Sequence, residues 1–428
     1  MRHRPRSAAI ISIVDPYTGD GGKPKVLTGL IDYLTDRLGP DHVHYVRIGG
    51  PEEVTGPVRT HRLAGPPTAD RLTGLLTRTL SGRAPMQEAL LWSPALQREL
   101  AELLDRLGID LEIYDTMRTG QFAPLGRTTP RICYLDDLMS LRYRRMIEAN
   151  RRLPDVEVDA LGTFAEQVPG PLRGLARRGA VQDGLLRVES RLAARSELRA
   201  AREFDRCLLV SAREARSLAR AAGVADDKVM AVPPALAIRA PGSPGTVSRQ
   251  APQDPRYVFL GLLSAPHNDD GLTHVLREVW PAVLARRPEA RLQVVGRDPG
   301  PAARALMERH ADTVTWDGFV PDLDAVLATA TALLNVLRFG TGVKIKIVEA
   351  LARGLPVLST TVGAEGVESG PGTGIVVTDG VDDLAAGAVE LADPVRNKEL
   401  SEEAAEHFRR SYAQDAVYAT YDRVFGLV

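Results

Sequence analysis

The chain has 428 residues, 44% of them apolar and 25% charged, with a formal net charge of −1. That length exceeds what one core organises and calls for about two domains of roughly 200 residues each, in a composition typical of soluble globular proteins. Near-neutral charge excludes a global pull toward nucleic acid or an anionic membrane, so any anion-binding site must be local.

In chain order, the basic start Met1–Arg6 imitates a signal peptide, but Asp15-Pro16 stops the apolar run Ala8–Val14 too early. The run reads as a first strand. The loop Tyr17–Gly22 follows, then a helix over Thr28–Leu38 and a second strand, Val43–Ile48. Ala84–Leu107 reads as mostly helical and ends at Gly108. Leu111–Tyr114 and Arg131–Leu135 are short strands finishing at Asp115 and Asp136, and residues 171–203 form a long Arg/Glu-laced amphipathic helix. Cys207–Val210 and Val229–Val232 are strands flanking a helix over Ala212–Ala222. Strands alternating with helices, without two-residue hairpin turns, predict a parallel, helix-covered sheet.

Residues 233–255 are rich in Pro, Gly and Ser and read as a linker between an N-terminal domain, 1–232, and a C-terminal domain, 256–428. The second half repeats the pattern. Strands are predicted at Tyr257–Leu262, Arg291–Val295, Val314–Trp316, Ala332–Leu337, Pro356–Thr360 and Ile375–Val377. A helix over Asp270–Arg286 is interrupted near Pro281, another covers Gly342–Ala352, and helices follow to the C-terminus, the last placed to pack back on the N-terminal domain. The expected fold is α/β: two facing Rossmann-like domains, a parallel sheet in each, with the ligand in the interdomain cleft at the C-terminal strand ends. No apolar stretch approaches the ~18 residues of a membrane span. Cys133 and Cys207 are the only cysteines and suit a reducing compartment as buried apolar residues. A cytoplasmic setting is expected, with peripheral membrane contact left open.

Only six of the 54 basic residues are lysine, and four of them form two Lys-x-Lys pairs, each directly after a glycine cluster: Lys23 and Lys25, Lys344 and Lys346. The second pair lies in a strand, glycine turn, helix order that lets backbone N–H groups approach an anion. A cation in the first turn of a helix opposes the dipole, and a phosphate nearby would resolve the conflict. Glu349 shares a helix face with Lys346 and can accept two hydroxyl hydrogen bonds, as a ribose diol supplies; a surface ion pair is the plainer alternative.

The run Gly340-Thr341-Gly342-Val343-Lys344-x-Lys346-x-x-Glu349-Ala350, continuing to Gly354-x-Pro356-Val357 and Gly363-Ala364-Glu365-Gly366, resembles the donor-site signature of group 1 (GT4-like) glycosyltransferases of the GT-B fold. Phe259-Leu260-Gly261, Pro266–Gly271, Leu292–Gly296 and Trp316–Leu323 add to the likeness, which is strong over about 256–366 and weakest before residue 130. It implies that Glu349 holds the donor ribose, that Lys344 and the backbone of Gly340, Thr341 and Gly342 lie near the diphosphate or sugar, and that Val320 meets the base through its backbone. Lys346, Glu365 and Gly366 complete the expected donor set. The family also implies retention of configuration and no obligatory metal or cofactor beyond the nucleotide-sugar co-substrate. Two departures stand out. Thr341 replaces a second glutamate of the common pattern, and the usual Arg/Lys pair after the first C-domain strand is missing, a loss that Lys344 would make good.

In the N-terminal half, Gly21 and Gly22 belong to a loop that in GT-B proteins reaches toward donor and acceptor. Asp136 and Asp137 end a strand where an acceptor hydroxyl or donor sugar could be oriented, or they cap the helix before Leu138; Asp115 and Arg118 are weaker acceptor candidates. Asp322-Leu323-Asp324 imitates a metal–nucleotide motif but reads better as a helix N-cap. His267 is a candidate base or a solvent-facing loop histidine. The basic run Arg142–Arg152 reads as a solvated face or a contact for an anionic acceptor or membrane. The expected activity is transfer of a sugar from a nucleoside-diphosphate donor to a polysaccharide, lipid, protein or small natural product, with no nucleic-acid partner. The alternative is a GT-B-like nucleotide-binding or partner subunit without transfer activity.

Overall fold

The computed structural model describes residues 4–17, 22–50, 56–124, 126, 128–152, 179–236, 238 and 254–427. They fall into two compact units. The first is built from the chain up to Ile147, from the segment ending at Ala237 and from Val417–Val428; the second centres on Ile238–Ala416.

The first unit carries strands β1 (Ala8–Ser12), β2 (Val43–Ile48), β3 (Arg59–Leu63), β4 (Leu111–Asp115), β5 (Arg131–Asp136), β6 (Arg206–Leu209) and β7 (Val229–Ala231). They form one sheet in the order β3-β2-β1-β4-β5-β6-β7, with every pairing parallel. β1, β2 and β4 are buried along their whole length, as expected for the inner strands of a parallel sheet, although β2 carries His44 and Arg47 and β4 carries Glu112 and Asp115. β3 was not legible in the sequence, because the edge strand Arg-Thr-His-Arg-Leu buries only Leu63 and shows no alternation.

The second unit holds β8 (Arg256–Leu260), β9 (Arg291–Val295), β10 (Val314–Gly318), β11 (Ala332–Asn335), β12 (Val357–Ser359) and β13 (Ile375–Val377). Their order is β10-β9-β8-β11-β12-β13, again all parallel. In each sheet the first strand sits between neighbours that depart in opposite directions. The loops after β1 and β4, and after β8 and β11, therefore diverge and leave a crevice at the C-terminal strand ends.

The helix expected over Asp270–Arg286 begins earlier, at Pro266, and is broken into Pro266–His274, a π-helical turn Val275–Val279, and Trp280–Leu284. The widened turn lies directly before Pro281, whose ring nitrogen cannot donate to the regular ladder. From Val417 on, the C-terminal helix Gln414–Phe425 belongs to the first unit. Asp422 accepts from Tyr33 Oη at 3.0 Å and from Arg37 Nε at 2.8 Å and Nη2 at 3.1 Å. The Tyr33 ring meets Tyr418 and Tyr421 edge-on at 4.9 and 5.1 Å.

Candidate functional site

The loops after β8 and β11 are tied together by polar side chains. Pro266 opens its helix at the first position, which places Asn268 and Asp270 in the first two turns. Asn268 Nδ2 donates to the Leu262 carbonyl at 2.9 Å, while its Oδ1 accepts from Lys346 Nζ at 2.9 Å. Asp270 receives a fork of hydrogen bonds from Arg338, one of them Nε to Oδ2 at 3.0 Å. Thr360, just after β12, accepts from the Leu337 N–H at 3.1 Å and donates to its carbonyl at 2.6 Å. The segment leading into the glycine turn is thus fixed on both sides.

Gly342 has φ 72°, a left-handed conformation that glycine adopts without strain. The helix begins only at Ile345 and runs to Leu351, with Lys344 as its extended N-cap residue. This corrects the expected start at Gly342, and it changes the electrostatic argument. Lys344 is not in the first turn; its Nζ folds back to the carbonyls of Thr341 at 3.0 Å and Gly342 at 2.7 Å, which offset the unfavourable helix end. Lys344 and Glu349 are each only 7% exposed, so Glu349 does not project into bulk water and the surface ion-pair alternative fails. Lys346 is half-buried with its Nζ 5.2 Å from the Phe259 ring centroid. Burial, then the charge of Lys344, pushes its ammonium down to about 7, with Glu349 opposing. Two lysine amines and a carboxylate are thereby concentrated at one turn. His267 is not a solvent-facing loop residue: it lies half-buried in the first turn of its helix, and its Cβ would be 4.0 Å from a Cβ built on Gly340.

The loop after β12 brings Gly366 against Val343 and leaves Glu365 half-buried beside it in sequence. Val320, half-buried, follows the end of β10. Next to it stands the exposed Phe319, with the Arg297 guanidinium 5.0 Å from its ring centroid. Asp322 caps the helix Leu323–Ala328 by accepting from the Ala325 N–H at 3.0 Å, and Asp324 pairs with Arg353. Both acids are thus engaged in structural contacts.

In the first unit, Lys23, in the first turn of the helix Gly22–Leu38, reaches Asp115 Oδ1 at 2.6 Å and Asp136 Oδ2 at 3.5 Å. Its Nζ lies 4.9 Å from the Tyr134 ring centroid. Asp115, buried, also accepts from Ser12 Oγ at 2.6 Å. Thr116 and Asp136 both have positive φ, 65° and 72°. For a β-branched threonine this is an uncommon, strained backbone, and it re-aims the chain next to Asp115. Burial raises the Asp136 carboxyl, with Lys23 opposing and Asp137 adding. Arg118 is half-buried and donates from Nε to Thr116 Oγ1 at 3.3 Å; burial lowers its guanidinium. Asp137 is gripped by Arg142 Nε at 3.1 Å and Nη2 at 2.5 Å.

The helix that follows β5 begins at Met139. The Leu138 N–H donates to Glu214 at 2.8 Å and the Ser140 N–H to Glu197 at 2.9 Å, so distant carboxylates already occupy those donors. The basic run is not a uniformly solvated face either: Arg142 holds Asp137, and Tyr143 and Ile147 pack on Leu186 and Ala193. Gly22 is exposed at the start of its helix; Gly21 and most of the linker lie outside the described residues.

The structure thus gathers Gly340, Thr341, Gly342, Lys344, Lys346 and Glu349 in one unit, and Asp115 and Asp136 around Lys23 in the other. Sequence reasoning missed Asn268, the Arg338–Asp270 fork, the Lys23 bridge and Phe319. Lys23 carried a signal as one of the two lysine pairs that follow a glycine cluster, and Phe319 as an aromatic residue in a polar stretch beside Gly318.

The two parallel sheets and their order are those of the GT-B fold. Residues 254–393 match the family model described as "Glycosyl transferases group 1". Among solved structures it is similar to sucrose-phosphate synthase from Thermosynechococcus elongatus, with TM-score 0.63, 16% identity and 98% of each chain covered. It is also similar to HepE of Anabaena in complex with UDP, with TM-score 0.61 and 12% identity over 99% of this chain and 100% of that one. WaaG, a glycosyltransferase of lipopolysaccharide biosynthesis, gives TM-score 0.59 and 13% identity over 98% and 100%. An uncharacterized 44.6 kDa protein of the cps region of Klebsiella pneumoniae is 26% identical over 126 residues, which span 28% of this chain and 32% of that protein.

Proposed function

We propose that the chain moves a sugar from a nucleoside-diphosphate donor to an acceptor, with retention of anomeric configuration and without an obligatory metal or further cofactor. The observation that carries this reading is the gathering of Lys344, Lys346 and Glu349 around the Gly340–Gly342 turn, at the crevice between the loops after β8 and β11. In this reading Glu349 accepts the ribose hydroxyls. Lys344, Lys346 and the backbone of Gly340, Thr341 and Gly342 face the diphosphate. Glu365 and Gly366 adjoin the sugar, and Val320 meets the base, with Phe319 beside it. Gly21 and Gly22 are assigned to the donor, Asp115, Arg118 and Asp136 serve the acceptor, and Asp137 is a catalytic residue with Lys344 and Glu349. The complexes of HepE with UDP and with UDP-glucose support the donor class. We place the reaction in the cytoplasm, on a polysaccharide, lipid, protein or small natural product.

The chemistry asks chiefly for charge stabilisation. The departing group is a dianionic or trianionic nucleoside diphosphate, and the sugar becomes oxocarbenium-like as its bond breaks. Fixed cations facing the departing oxygens lower that barrier more than they stabilise the bound donor. Incubation with a panel of nucleotide sugars and no acceptor should give slow release of one nucleoside diphosphate, and Lys344→Ala should slow it by about 100-fold. No release from any member of the panel, or an undiminished rate in Lys344→Ala, would overturn the assignment.

A further inference from the structure

We propose that the helical segment Thr68–Leu80 is a docking surface for an anionic lipid bilayer. The helix Thr68–Gly74 runs directly into a π-helical turn, Leu75–Thr79. Its inner face is fixed by Gly74, where a Cβ would fall 2.1 Å from the Ala89 carbonyl oxygen, and by Arg78. The Arg78 guanidinium lies 5.2 Å from the Trp92 ring centroid and donates to Gln121 Oε1 at 2.6 Å. Leu76 stands about 160° around the helix from both Gly74 and Arg78.

On that outward side Leu72, Leu76 and Leu80 recur at four-residue spacing with 47%, 63% and 77% of their surface exposed. Among the described residues eight large apolar side chains are exposed, and these three alone share a helix face. Three of the others, Leu262, Trp316 and Phe319, belong to the strand ends of the second unit. A three-leucine stripe turned away from the packing face adds little to the unit's core, and an exposed apolar row of this kind marks an interaction surface.

Charge selects the occupant. Residues 56–85 contain five arginines against a single acid, Asp70. Arg62, Arg71 and Arg83 are exposed, and Arg195, also exposed, donates to the Gly82 carbonyl at 3.1 Å, adding a cation at the end of the stripe. Exposed Thr73, Thr77 and Ser81 fill the rim. Leucines on a convex helix flanked by guanidinium groups match an interface of acyl chains under anionic headgroups. No helix among the described residues is long and apolar enough to cross a membrane, so the contact lies in the plane of the interface. Three leucines bind weakly alone, and attraction to the headgroups supplies the second signal.

Co-sedimentation of the full chain with phosphatidylcholine vesicles, with and without phosphatidylglycerol, tests this. The chain should pellet with phosphatidylglycerol vesicles only, and less as salt rises. The combined variant Leu72→Ser, Leu76→Ser, Leu80→Ser should lower partitioning by at least about tenfold while its thermal melt stays unchanged. Leu80→Glu, at the most exposed of the three positions, provides a second variant expected to detach through charge repulsion. Retention in the supernatant with phosphatidylglycerol vesicles, equal binding to neutral ones, or variants that pellet like the parent would overturn the proposal. So would a dimer that the leucine substitutions dissociate in the absence of any vesicle binding, since the face would then pair with a second copy.

Discussion

Lys346 sits between Asn268 Oδ1 and the face of Phe259, and burial brings its ammonium down to about 7. It therefore loses its proton just where a physiological buffer would otherwise keep a lysine charged. A diphosphate arriving at the turn restores the charge, because a nearby anion favours the protonated form. Donor binding should consequently take up a proton at pH 8 and almost none at pH 6, measured by calorimetry in buffers of different ionisation enthalpy. Lys346→Arg should abolish the uptake while retaining binding; uptake unchanged in that variant would exclude Lys346 as its source. The residue types of this turn were readable from the chain, but their partners were not. Asn268 and Lys346 meet only because β8 and β11 are neighbours in the sheet, and a linear pattern does not announce that adjacency. Lys344 was read into the first helical turn because Val343 and Lys344 carry no breaker of their own; its ammonium instead satisfies two turn carbonyls.

At the scale of elements, the helix Gly179–Glu203 shows the same limit. It reads in sequence as an Arg/Glu-laced amphipathic helix, yet Glu189 and Glu197, which such a pattern assigns to the polar face, are buried. Glu189 accepts from the Met86 N–H at 3.1 and 3.0 Å, and Glu197 from the Ser140 N–H and hydroxyl at 2.9 and 2.5 Å. Each carboxylate thus serves the N-terminus of another helix, where unpaired donors and the dipole favour an anion. Burial nevertheless wins and raises both to about 7, with the hydrogen bonds opposing; Glu88, held by Ser196 and Arg199, is raised to about 7 as well. The sign follows from the direction of these shifts. Because the folded values exceed the ordinary carboxylate value, the folded chain holds the extra protons between them. Stability is fully present below the ordinary value and declines as pH rises through about 7. Denaturant unfolding between pH 5 and 7 should show that decline, and Glu189→Gln with Glu197→Gln should remove roughly one proton per site from its slope. A slope identical in the double variant would place the titration elsewhere. The alternating strands, by contrast, were legible wherever both faces are buried, as in β1 and β4. The helix Thr68–Gly74 was not, because its apolar side faces outward and only Gly74 is buried.

For the whole molecule, the chain returns to its first unit at the end: Asp422 closes a buried contact with Tyr33 and Arg37, and Arg37 lowers its carboxyl. Asp422→Ala leaves a tyrosine hydroxyl and a guanidinium without their shared acceptor and should cost about 2 kcal/mol, seen as a lower melting temperature of the full chain. An unshifted melt would show that the closing helix is held by its aromatic contacts alone. The two sheets make the GT-B fold, but the donor reading depends on one carboxylate reaching a ribose. The direct measurement is the affinity of the parent and of Glu349→Gln for the nucleoside diphosphate selected by the donor panel and for its 2′,3′-dideoxy analogue. The parent should bind the diphosphate about 10- to 100-fold more tightly than the analogue, as expected for hydrogen bonds to a charged group. Glu349→Gln should lose that preference. A variant that binds the diphosphate as the parent does, with the same discrimination against the dideoxy analogue, would contradict the assignment of Glu349 and the donor site built around it.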